Sequence, residues 1–115
     1  MEANELRIGN LVEYLGEFKE VLGMDEETVF LKNTVSVNYL ELDEISPISL
    51  TEELLLKLGF INNELLDKHL IFIWFGDHVG IKGMLGLIKP WSCVYVHQLQ
   101  NLYFALTNNE LIFKP

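Results

Sequence analysis

No apolar run in this chain is longer than the six residues Leu70 to Phe75, and Lys82 and Lys89 interrupt the hydrophobic stretch that follows. A helix that crosses a bilayer needs about 20 consecutive apolar residues, so no such helix is expected. The hydrophobic half of the composition must therefore be buried in short strands and brief helices. At 115 residues the chain is expected to form one domain over 1–115. A chain of that size buries roughly 65% of the surface its unfolded form exposes, enough to fold without disulfides or metals.

Residues 7 to 48 read as strands separated by turn signals. Leu11 to Leu15 ends at Gly16, and Phe18 to Leu22 ends at Gly23. Met24-Asp25-Glu26-Glu27 makes a polar corner, and Thr28 to Lys32 is a third strand before the turn Asn33-Thr34. Val35, Val37 and Tyr39 alternate with Ser36 and Asn38, the period of a half-buried strand. Pro47 places Ile45 to Ile48 at a sheet edge or a strand end. Strands this short and closely spaced predict a small, strongly curved antiparallel sheet, and an SH3-like barrel is the form that curvature suggests.

A helix is predicted directly after it. Thr51 suits the N-cap, Glu52 and Glu53 lie in the first turn and Lys57 in the last, each favoured there by the helix dipole. Leu50 is placed to pack on Leu55 as a hydrophobic staple. Gly59 suits the left-handed position beyond the C-cap, with Phe60 folding back on Leu55. Beyond it, His69 to Phe75 reads as a strand apolar on both faces, and Gly76-Asp77-His78 as a turn. Val79 to Ile88 is broken by Gly80, Gly83 and Gly86, which weaken either assignment. Val96, Leu99, Leu102, Tyr103 and Leu106 recur at helical spacing and predict a last helix ended by Asn108-Asn109. Glu110 to Phe113 is expected to add a closing strand. The fold class is α+β, with an acidic, strand-rich part over 1–48 and a mixed part over 49–115, built from the N-terminal sheet, two helices and further short strands.

Charge is distributed very unevenly. Thirteen of the seventeen acidic residues fall within the first 53 positions, where only Arg7, Lys19 and Lys32 oppose them. The first half is near −10 and the second near +1, for a net charge of −9. Such a field repels phosphate backbones and anionic membranes and attracts basic partners, most strongly at low salt. Direct nucleic-acid binding lacks the basic stripe it needs. The single Cys93 excludes an intrachain disulfide, and the segment Met1 to Glu5 lacks the basic start and apolar run of a signal peptide. A cytoplasmic protein is the expectation.

The residues that could carry chemistry are few. Cys93 and His97, four apart, would share a helix face as a thiolate–imidazole pair or two metal ligands. A buried cysteine beside a polar histidine explains the spacing more simply, and no cofactor or metal is expected. Asp77-His78 could act as acid and base on a turn, but these residues also form turns ordinarily. Adjacent acids such as Glu26-Glu27, Asp43-Glu44 and Glu52-Glu53 point in different directions and read as capping and solvating charges. No phosphate-cradling glycine pattern is present. Trp91, and the helix face His97, Gln100, Asn101 and Phe104, are the candidate partner-binding surface, since exposed aromatics dominate interface hot spots.

Three segments carry a resemblance: Ala3 to Gly16 (ANELRIGNLVEYLG), Pro47 to Phe60 (PISLTEELLLKLGF) and Tyr95 to Leu111 (YVHQLQNLYFALTNNEL). They resemble a family of small proteins, with no assigned activity, found widely in Bacteroidetes genomes and their phages or mobile elements. Members usually carry Trp where this chain has Leu54, and Gly near Asn108. The resemblance covers about 45 residues, leaves out 61–94, and implies a source and a context rather than a mechanism. The leading expectation is a non-enzymatic protein-interaction or accessory module that engages another protein, one with a basic surface favoured, and neither nucleic acid directly nor a membrane. An acidic nucleic-acid mimic that inhibits a DNA-binding protein is the second reading and a small enzyme the third. Self-association through the doubly apolar strand 70–75 stays open.

Overall fold

In a computed structural model of this chain, residues 3–32, 40–67, 70–83 and 88–114 are described, with side chains throughout except at 83 and 88–91. The fold is α+β: two four-stranded antiparallel sheets and two α-helices. The chain divides into two compact units, Met1–Ile48 with Tyr95–Asn101, and Ser49–Val94 with Leu102–Pro115. Among the described residues, no helix is long and apolar enough to cross a membrane.

The first unit holds β1 (Leu11–Tyr14), β2 (Glu17–Met24), β3 (Thr28–Leu31) and β4 (Leu40–Glu41) in that order across the sheet. Between β1 and β2, Leu15 (φ +51) and Gly16 (φ +80) are both left-handed, the backbone a tight two-residue hairpin demands. A leucine in that conformation costs roughly 1–2 kcal/mol, so β1 stops at Tyr14 and Leu15 stands 84% exposed at the tip. Glu13 exchanges two 2.9 Å main-chain hydrogen bonds with Ser46. The chain after β4 therefore returns to the open side of β1 and curves the sheet into a half-barrel, compatible with the SH3-like form. Ile45 to Ile48 contributes that single bridge rather than a strand. Inside lie Leu6, Val12, Val21, Val29, Leu31, Leu40, Leu42 and Ile45, each worth about 1.5–3 kcal/mol when fully buried. The alternation at Val35, Val37 and Tyr39 lies outside the described residues.

The second unit opens with α1 (Glu52–Lys57). Thr51 Oγ1 accepts the Leu54 N–H at 3.2 Å. At the other end Gly59 is left-handed (φ +100), Phe60 N–H donates to Leu55 O and Gly59 N–H to Leu56 O, a Schellman closure that buries Phe60. Asn62 and Asn63, both left-handed, then turn the chain into β5 (Glu64–Asp67). The second sheet runs β5, β6 (Leu70–Trp74), β7 (Val79–Gly83), β8 (Ile88–Cys93). β5 is a strand that the sequence reading leaves unassigned. Gly80 is explained by its cover: a Cβ there would lie 2.8 Å from the Phe75 ring. Pro90 falls in β8, an edge strand whose pairing with β7 is irregular, where a missing N–H is tolerated. The predicted strand over Glu110 to Phe113 does not form; Leu111 is buried instead and Lys114 N–H bonds Lys57 O at 2.8 Å. The last helix, α2 (Val96–Thr107), ends at a left-handed Asn108 and contributes residues to both units.

Candidate functional site

Asparagine and glutamine side chains meet inside the first unit. Gln100 Oε1 accepts the main-chain N–H of Leu11 at 2.9 Å, and its amide donates to Gly9 O at 3.5 Å. Asn10 Nδ2 donates to Asn101 Oδ1 at 2.8 Å, while Asn10 Oδ1 accepts the Arg7 N–H at 2.7 Å. Asn101 Nδ2 in turn donates to Glu5 O at 3.0 Å. Three side-chain amides thus satisfy backbone groups of residues 5 to 11; the bond to Glu5 O is exposed, whereas at buried Asn10 and Gln100 a lost partner would leave a buried polar group costing about 1–3 kcal/mol.

That arrangement revises the candidate surface on α2. His97 and Gln100 are each 3% exposed, and Asn101 and Phe104 are half-buried. Polarity alone places His97 and Gln100 on an outward face; in the fold Gln100 instead turns in to accept the Leu11 N–H at a strand start. The His97 ring stacks on Tyr95 with centroids 5.9 Å apart, and its buried Nδ1 has no partner among the described residues. Burial holds its pKa below the ordinary histidine value, with Glu5 pulling weakly the other way. Trp91 lies in β8, and its side chain is outside the described set.

The other chemical candidates are likewise placed. Burial pushes the Cys93 thiol up to about 11, away from the thiolate that nucleophilic or metal chemistry needs. Asp77 Oδ1 and His78 Nδ1 are 2.6 Å apart on an exposed turn, with the imidazole stacked on Phe75 at 5.1 Å. In the second unit Tyr103 donates to Asp67 at 2.6 Å, and burial followed by that bond pushes its pKa up to about 12. Among the described residues, no group of three or more His, Cys, Asp or Glu is arranged to hold a metal ion.

What the fold does assemble is an acidic corner on the first unit. Pairing of β3 with β4 sets Thr28 opposite Glu41, and Leu42 N–H bonds Glu27 O at 3.1 Å. Around that junction an open hollow of about 550 Å³ is lined by Ala3, Asn4, Glu26, Glu27, Thr28, Glu41, Leu42 and Asp43. The four carboxylates make no ion pair with any described residue, whereas Glu17 and Glu20 on β2 are met by Lys19 at 3.1 Å and Lys32 at 3.9 Å. The β2–β3 turn beneath them is built by Asp25. Its Oδ1 accepts the N–H groups of Glu27 and Thr28 at 3.0 and 2.9 Å, which hold its carboxyl below the usual range. The acid excess in the first 53 residues signals a negative half; the gathering of Glu26 and Glu27 with Glu41 and Asp43 needs the β3–β4 register. Gly23, Met24, Asp25 and Phe30 line a smaller open hollow of about 270 Å³. Comparison with known protein families, with curated proteins and with solved structures returned no match.

Proposed function

We propose that this chain is a non-enzymatic interaction or accessory module whose acidic first unit engages a basic protein partner. The observation that carries the reading is the hollow lined by Glu26, Glu27, Glu41 and Asp43, four carboxylates without a described cation. Like charges held together in this way repel one another, and a partner bearing lysine or arginine relieves that repulsion while gaining a steered approach. The resemblance of residues 3–16, 47–60 and 95–111 supports a bacterial or phage and mobile-element setting. A raised thiol at Cys93 and an Asp77–His78 pair on an exposed turn give an enzyme reading little support.

The same convergence favours a second reading, an acidic mimic of nucleic acid that occupies the basic groove of a DNA-binding protein. Both are tested together by capturing partners from the native lysate with the tagged protein and with a variant carrying Glu26→Gln, Glu27→Gln, Glu41→Gln and Asp43→Asn. A basic protein held at low salt by the first and lost from the second supports the acidic corner, and its competition by duplex DNA selects the mimic. Equal capture by both proteins, or capture of no basic protein, overturns both readings.

A further inference from the structure

We propose that the outer face of the first sheet binds a basic segment of a protein partner by taking one arginine or lysine side chain into the hollow at Gly23. The proposal rests on the basic-partner reading above and names the place where that partner is recognised. β2 is irregular between Val21 and Gly23, which sets Gly23 opposite Phe30 instead of continuing the ladder in step. Such a bulge re-aims neighbouring side chains and marks a designed feature of a sheet. Because Gly23 has no side chain, space opens beside the Phe30 ring, and a Cβ built at Gly23 would meet nothing within 4 Å.

The walls of the hollow are of two kinds. The Phe30 ring, 41% exposed, is apolar and Asp25 is acidic, while the Met24 side chain, paired with Val29, packs on the core side. A long basic side chain matches both: its methylene stem lies along the ring while its cation faces the carboxylate. Asp25 is held by main-chain N–H groups, so its charge is fixed in place before a partner arrives. An acidic side chain would be repelled there by Asp25, Glu26 and Glu27. Leu22, 42% exposed next to Gly23 on β2, offers an apolar contact at the rim of the hollow, which fits a peptide alternating basic and apolar residues better than a free cation.

The test is an amide chemical-shift titration of the full chain at low ionic strength. The probes are an octapeptide alternating arginine and valine and the same peptide with citrulline for arginine. Shifts centred on residues 21–31, with the citrulline peptide at least about tenfold weaker, are expected from a charge-assisted contact. Gly23→Val fills the hollow at a position with room for a side chain, and it should abolish those shifts while leaving the rest of the spectrum in place. Phe30→Leu removes only the aromatic wall and should weaken binding severalfold. Binding that is insensitive to citrulline, or that persists undiminished in Gly23→Val and Phe30→Leu, overturns the hollow as the site. If the undiminished shifts map to Glu26, Glu41 and Asp43, the basic-partner reading survives. No shift with the arginine peptide overturns both.

Discussion

The first unit holds two dense groups of polar side chains, neutral amides and carboxylates, that differ in whether the protein itself supplies their partners. Asn10, Gln100 and Asn101 are turned inward, and each bonds the backbone or another amide. Glu26, Glu27, Glu41 and Asp43 are turned outward around an open hollow, and no described cation answers them. The first group completes the fold, since a buried polar group without a partner is expensive. The second does nothing for the fold that solvent would not do equally well, and its mutual repulsion opposes compactness. Neutral amides can be taken into the fold when their bonds are met, whereas clustered carboxylates stay where solvent or a partner can answer them.

The contrast is open to attack from either side, and the largest effect is expected at its buried end. Gln100→Ala strands the Leu11 N–H and opens a small cavity, so the protein should lose about 3 kcal/mol in urea unfolding. Its folded fraction should keep its affinity for a basic partner. A loss below about 0.5 kcal/mol would mean that the amide is dispensable and the division between the groups is wrong. Asn101→Ala is the milder version: Asn101 is half-buried and its removal frees only Glu5 O and one amide contact, so about 1 kcal/mol is expected.

Titration probes a buried and an exposed group beside these two clusters. His97 has a folded pKa below its unfolded value of 6.5. Below pH 6.5 the unfolded chain takes up a proton that the folded chain refuses, so stability should fall as pH drops from 6.5 towards the folded value. His97→Phe should flatten that slope in thermal melts. Asp25 acts in a separate and lower window. Its folded pKa lies below 3.8, so the stability it lends is complete above 3.8 and disappears as pH falls through the folded value. If the loss between pH 7 and 5 persists unchanged in His97→Phe, the buried imidazole is not its source.

How much of this could be read from the sequence follows the distance over which each feature is determined. α1 was legible because its cap, charges, left-handed glycine and returning Phe60 lie within ten residues of one another. The α+β class and a curved N-terminal sheet were legible from strand length and turn spacing. The apolar run Leu11 to Leu15 predicts a strand reaching Gly16, but the two-residue hairpin takes Leu15 into positive φ, which leucine rarely adopts, and ends the strand at Tyr14. The inward turn of Gln100 is not legible because its partner, Leu11, is 89 positions away. The four carboxylates look like separate solvated charges in the sequence because only the β3–β4 pairing collects them. β5 is not legible because Glu-Leu-Leu-Asp carries neither β-branched residues nor a flanking glycine.

The smallest stability change, and the sharpest test of the contrast, is expected from neutralising Glu26, Glu27, Glu41 and Asp43 together. If they serve recognition, their removal should leave stability within about 0.5 kcal/mol of the parent, as for ordinary surface changes. The sign also matters. Clustered like charges repel, so the variant should be slightly more stable at low salt, and the gain should fade as the screening length falls to about 10 Å near 0.1 M ionic strength. The same variant should bind the arginine peptide more weakly at low salt, because long-range attraction acts even on a hollow these groups do not line. A stability loss above about 1 kcal/mol would place these acids with the amides, as parts of the fold, and would remove the physical ground for reading the corner as a docking surface. Stability that holds while affinity falls, with both differences shrinking together as salt rises, is an outcome that a purely structural role for the carboxylates does not produce.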